Sequence, residues 1–279
     1  MEKILVTTDF SENSKAGLRF AIQLNTQTPL ELTFFHSIYL SPPSPKLNTD
    51  FEKFEKSEIE NTYLKLKEFT EGVYKSMKLK PGKVNYVVRS AVFADSNIMD
   101  YAASKKFNYI CISTLGAGRI KKFFGTNTSH LITQSSVPVI AVPSSYERSP
   151  VKKMLYASDL SDLNYELKKV VAFADPLKAS VELLHINTLT KAMENPKIIE
   201  NAVKKYSEYD ISFSIKQSNI VKSLISSIES AIEKKKPSML IMFTQQNRTL
   251  YDKIFLSSKA AEYSFNAKVP LLVFKKTKK

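Results

Sequence analysis

Cysteine is almost missing from this chain. Cys111 stands alone, so no intramolecular disulfide can form, and with only three scattered histidines no structural zinc cluster can be assembled. No run approaches the ~18 apolar residues that a membrane span requires. The opening MEKILVTTDF has the pattern of a strand, not of a signal peptide. A soluble, cytoplasmic protein without a membrane partner is therefore expected. Glycine is scarce and lopsided: Gly17, Gly72, Gly82, Gly116, Gly118 and Gly125 are all of it, and residues 151–279 contain none. Acidic residues are outnumbered 27 to 41 by Lys and Arg, a net charge of +14. Such a surface attracts anions, but the lysines are dispersed and no nucleic-acid motif interleaves with them. A solvated basic surface is the expectation, and nucleic acid is not an expected partner. Nonspecific nucleic-acid binding would show itself as affinity that collapses between about 50 and 200 mM salt.

What is present is ordinary globular composition, 43% hydrophobic and 24% charged, over 279 residues. At about 150 residues per domain that length suggests two domains, and an internal repeat agrees. Lys3–Ser11 reads KILVTTDFS and Lys153–Ser161 reads KMLYASDLS. ELTFFHSI, ending at Ile38, matches VELLHIN around His185, each with a histidine near the end of an apolar run. YICIST (109–114) matches LIMFT (240–244), and VPVIAVP (137–143) matches VPLLVFK (269–275). Four matches in the same order divide the chain into domains at 1–147 and 151–279, with the polar, proline-closed stretch 143–150 as linker.

Amphipathic helical patterns lie between the apolar runs, at Ser14–Leu24, Phe51–Met77 and Asp95–Ser104. The runs themselves are rich in β-branched residues and do not alternate, as parallel strands covered on both faces should read. The fold class is α/β: two tandem doubly wound domains, each a five-stranded mostly parallel sheet with helices on both faces. In such sheets ligands bind beyond the carboxyl ends of the strands, where strand order reverses. The residues that directly follow the runs thus carry the interest. They are Thr7-Thr8-Asp9-Phe10-Ser11 after the first strand and Ser113-Thr114-Leu115-Gly116-Ala117-Gly118 after the fourth, the latter leading to Gly125-Thr126-Asn127-Thr128 at the start of a helix. Glycines let backbone N–H groups approach an oxyanion, a helix amino end adds free donors, and the Thr126 and Thr128 hydroxyls add more, so the design suits a phosphate chain. It is neither a Walker loop nor the dinucleotide fingerprint.

These residues resemble the universal stress proteins, whose nucleotide-binding members carry an Asp after the first strand and a Gly-x2-Gly-x9-Gly-Ser/Thr loop after the fourth. The resemblance covers the whole chain as a tandem pair. It implies that Asp9, with Thr7 and Thr8, sits at an adenine base, that Ser37 and Ile38 line the base pocket, and that Gly116, Gly125, Thr126, Asn127 and Thr128 hold ribose and phosphates. Ser113, Thr114 and Gly118 belong to the same strand-end segment. The implied ligand is ATP or another adenine nucleotide; apart from the resemblance, the alternative role for Asp9 is as a magnesium ligand, a weak site unless the nucleotide supplies the remaining ligands. Two departures stand out: Ser113 occupies the first glycine position, and eight residues separate Gly116 from Gly125 instead of nine. The resemblance further implies pairing of the two domains through their last strands, Val137–Val142 and Val269–Phe274, and leaves room for a homodimer.

The second domain lacks glycine where its phosphate loop should lie, at 245–258. It is expected to be a scaffold in which Asp159 caps or orders its own loop. His36 and His185 occupy equivalent strand positions, which favours a structural role for both. His130 is a rim or surface residue without an evident acid partner, and Cys111 an inert core residue. No catalytic constellation is evident. Activity would be limited to slow hydrolysis of ATP, or to autophosphorylation at Thr126 or Ser129. The signatures of adenylate-forming synthetases, His-x-Gly-His and Ser-Gly-Gly-x-Asp-Ser, are absent. The alternative reading is a protein-interaction module of the same fold that binds no nucleotide.

Overall fold

The computed structural model describes residues 1–41, 48–114, 126–187, 196–217, 224–244 and 269–276. The chain divides into two compact units, with the break between Arg148 and Ser149. In the first unit β1 (Glu2–Thr7), β2 (Leu30–Ile38), β3 (Asn85–Ser90), β4 (Tyr109–Thr114) and β5 (Val139–Pro143) alternate with α1 (Lys15–Gln27), α2 (Asn48–Ser76), α3 (Ala94–Ser104) and α4 (Thr126–Gln134). The strands lie in the order β3-β2-β1-β4-β5, every pair parallel. Helix α1 packs with α2, and α3 with α4, so each face of the sheet carries a pair of helices. Both faces are thereby dry, which is why Ile4, Leu5, Val6, Ile110, Cys111 and Ile140 are all buried without alternation.

The second unit repeats the plan. Its strands are β6 (Lys153–Ser158), β7 (Ser180–Asn187), β8 (Ile211–Gln217), β9 (Met239–Thr244) and β10 (Leu271–Lys275), and its helices α5 (Leu163–Ala174), α6 (Pro196–Lys204) and α7 (Leu224–Lys235). The order is β10-β9-β6-β7-β8, again parallel throughout. In each unit the first strand sits between the second and the fourth, so the order reverses beside the end of β1 and of β6. Among the described residues no helix is long and apolar enough to cross a membrane.

The break between the units at Arg148 and Ser149 falls within the stretch 143–150 expected as linker. The first part of that stretch is fixed to the first unit: Tyr146 is buried edge-on against Phe20, and Arg148 donates to the Gln23 side chain at 2.7 Å and the Met77 carbonyl at 2.9 Å. Of the insert expected over 39–50, Asn48, Thr49 and Asp50 belong to α2, and Pro42, Pro43 and Pro45 lie outside the described residues.

Candidate functional site

The loop after β1 is built by its own side chains. Phe10 N–H donates to Thr8 Oγ1 (3.0 Å), Ser11 N–H and Oγ donate to Asp9 Oδ1 (3.0 and 2.6 Å), and Thr8 Oγ1 lies 2.7 Å from Ser14 Oγ. These bonds hold Phe10 at φ 63°, a left-handed conformation that costs a bulky residue on the order of 1–3 kcal/mol. The Phe10 ring offsets this by packing on His36, 4.3 Å between centroids, and edge-on against Phe69. His36 Nδ1 faces the Thr8 carbonyl at 2.8 Å and so must carry the proton it donates there. The loop reappears in the second unit: Leu160 has φ 62°, its N–H meets Ser158 Oγ, Ser161 N–H meets Asp159 Oδ1, and His185 Nδ1 lies 2.9 Å from the Ser158 carbonyl. A strained turn kept twice, each time under a histidine, makes both rings structural supports of the loop, as their equivalent places in the sequence suggested.

In the first unit this loop borders a cavity of about 220 Å³. Thr7, Thr8 and Asp9 come to it from β1 and its loop, Ser37 from β2, Ser113 and Thr114 from β4, and Asn127 and Thr128 from the first turn of α4. Ile38 is not among the lining residues. Thr126 opens α4, and Gly116, Gly118 and Gly125 lie outside the described residues. Ser11, from the strand-end segment already noted, also lines it, and side chains not singled out in advance complete the wall, notably Asn13 and Ser14 before α1 and Ala94 and Ile98 on α3. Asn97 orients Ser37 from behind, its Nδ2 donating to Ser37 Oγ at 2.8 Å. Burial pushes the Asp9 carboxyl up, but the hydrogen bonds from Ser11 and Ser14 outweigh it and hold the group below the usual carboxylate range. Burial pushes His36 down, against the opposing pull of the Thr8 carbonyl and Asp9.

Ser113, at the first position of the loop pattern, has a definite task. Its Oγ accepts the Gly17 N–H at 2.7 Å and donates to the Ser14 carbonyl at 3.0 Å, fastening the end of β4 to the first turn of α1. The approach is close enough that a Cβ on Gly17 would stand 2.9 Å from that hydroxyl. Cys111 is fully buried one strand-turn earlier, its thiol pushed up by burial and directed at the Gly17 carbonyl.

His130, expected to stand without an acid, has one. Its Nδ1 lies 2.6 Å from Asp95 Oδ2, joining α4 to the start of α3. Burial pushes the Asp95 carboxyl up, but hydrogen bonds from His130 and the Ser96 N–H bring it below its ordinary value. Nothing in the sequence spacing, 35 residues apart, announces this pair. Among the described residues no group of three or more His, Cys, Asp or Glu is arranged to hold a metal ion.

The family model described as the universal stress protein family matches residues 1–143. The chain belongs to the universal stress protein family. A universal stress protein from Archaeoglobus fulgidus is similar over 99% of this chain and 98% of its own, with 17% identity and a TM-score of 0.69. A protein of unknown function from Pseudomonas aeruginosa PAO1 is similar over 99% of this chain and 92% of its own, with 13% identity and a TM-score of 0.57. At these identities the likeness speaks to fold, and it extends through both units. No curated protein matches the chain.

Proposed function

We propose that this universal stress protein binds ATP or another adenine nucleotide in its first unit, as a nucleotide-responsive module in a stress or signalling role. The observation that supports this reading is the convergence of side chains from β1, β2, β4 and α4 on one cavity at the switch point of the sheet. Its volume lies somewhat under the ~300–1,000 Å³ usual for a small-molecule pocket, so it suits a base and part of a sugar. Asp9 is ionised and can only accept, which favours the amine or hydroxyl donors of a nucleoside and repels phosphate. The phosphates would then lie toward the start of α4, whose first N–H groups have no partner within the helix and favour negative charge.

Denaturing the freshly purified protein and chromatographing what is released tests this directly. One adenine nucleotide per chain is the expected result, and two per chain would refute the assignment to the first unit alone. None, followed by no thermal stabilisation in excess Mg-ATP, where ~2.7 kcal/mol is expected at 100 times Kd, would leave the interaction-module reading. The Gly125→Val protein should fold and lose nucleotide; unchanged affinity would refute the role given to that glycine.

A further inference from the structure

The second unit keeps the strand-end loop and surrounds it with different chemistry. Aligned on the repeated strand-end loop and on the last strand, Tyr156, Glu166 and Lys276 stand where the first unit has Val6, Ala16 and Ser144. Lys276 follows β10, and its ammonium lies 2.6 and 2.7 Å from the two carboxylate oxygens of Asp159, 2.7 Å from Ser161 Oγ and 3.4 Å from Glu166 Oε1. Its side chain is 8% exposed and that of Glu166 1%. Behind them Tyr156 donates its hydroxyl hydrogen to Glu166 Oε2, and the same hydroxyl lies 2.9 Å from Ser158 Oγ.

Each part of this arrangement requires the others. A carboxylate on the buried face of a helix is costly unless it is paired, and Glu166 sits on such a face between Leu163, Leu167 and Val170. Tyr156 donates to one of its oxygens, while Lys276 faces the other at ion-pair distance without a hydrogen bond, and burial pushes the carboxyl's pKa up. An ammonium has three hydrogens to donate and accepts nothing, and its partners here among the described residues are oxygens, two of them from the aspartate that answers to Asp9.

We infer that the strand-end site of the second unit is a receptor for a primary ammonium and that Lys276 is its resident ligand, supplied by the chain itself. The site is closed to nucleotide because it is already occupied by a cation held among carboxylates. This stands whether or not the first unit binds nucleotide.

Lysine acetylation of the intact chain with an N-hydroxysuccinimide ester, read by tandem mass spectrometry of its peptides, uses Lys275 as an internal control, since it is exposed one residue away. Lys276 should label about tenfold or more slowly than Lys275 in the native protein and equally in denaturant, as expected of a group reached only through local opening. Equal labelling in the native state would overturn the inference. The Lys276→Ala protein should melt at a lower temperature and recover in n-propylammonium chloride, saturably, and not in potassium or tetramethylammonium chloride, while the unmodified chain responds to none of them. No recovery, or equal recovery in all three salts, would also overturn it. Should Lys276→Ala fail to fold, the labelling ratio still decides.

Discussion

At four places around the same strand-end loop the first unit has Val6, Ala16, Gly17 and Ser113, and the second has Tyr156, Glu166, Leu167 and Phe243. The first set is small and leaves the loop beside open space. The second is large: Tyr156 and Leu167 are fully buried, and Phe243 packs edge-on against Tyr156 and stacked on Phe274. Yet the turn itself is the same in both, down to a left-handed residue after the aspartate. Retention of so strained a turn where the chain occupies the site shows that the turn is part of how the fold closes its first loop. The difference between the units lies in the side chains around it, which decide whether Asp9 or Asp159 faces a cavity or a lysine.

The most severe way to break the comparison is to empty the second site. Glu166→Ala removes the partner of both Tyr156 and Lys276 in a place water does not reach, and breaking a buried ion pair typically costs ~3–5 kcal/mol. Urea unfolding with hydrogen exchange at β6 and β7 should register that loss in the second unit, and a change under 1 kcal/mol would mean the network is ornamental. A smaller effect is expected from filling the first unit's tight contact. Gly17→Ala places a methyl 2.9 Å from Ser113 Oγ and 3.2 Å from the Ser113 backbone nitrogen, an overpacking cost of ~1–3 kcal/mol. Combined with Ser113→Gly, which removes the hydroxyl, the loss should fall short of the sum by ~0.5 kcal/mol or more. Strict additivity would show that the two residues are not coupled.

Much of this was legible in the chain. The repeat of strand, turn and histidine reads as two units, alternation of strand and helix gives their doubly wound α/β class though not their strand order, and Asp9, Thr114 and Thr128 fall at strand or helix ends by position, whereas Ser37 entered only through the family resemblance. The filling of the second site was not legible. Lys276 is one of many lysines, Tyr156 reads as an ordinary strand aromatic, and only the acid at 166, set on the apolar face Leu163-Leu167-Val170, signals that something buried must meet it. The His130–Asp95 pair was hidden for a related reason: a side-chain hydrogen bond between helices leaves no trace in spacing. Ile38 illustrates the converse, a residue adjacent in sequence to Ser37 that alternation turns away, since neighbours on a strand point to opposite faces.

The smallest effect, and the finest test of the comparison, concerns the histidine beneath the first loop. Burial lowers the His36 pKa from its ordinary 6.5, so the folded state binds this proton less well than the unfolded chain does. Stability from this group is therefore complete above pH 6.5 and declines as pH falls through the interval between 6.5 and the lowered folded value. Nδ1 already carries hydrogen for the Thr8 carbonyl, so the incoming proton must go to Nε2, leaving the donated bond intact and charging a ring packed on Phe10. His36→Asn keeps a donor toward Thr8 and cannot take up that proton. Its stability should be flat where the unsubstituted chain's declines, a difference of well under ~1 kcal/mol for a half-buried group. Paired denaturation curves at pH 7.5 and 5.5, followed through hydrogen exchange at β1 and β2, would measure it. Parallel pH dependence in both proteins would assign the acid sensitivity of the first unit over this interval to groups other than His36; Asp9 is not one of them, because its lowered pKa confers stability that is lost only as pH falls below 3.8.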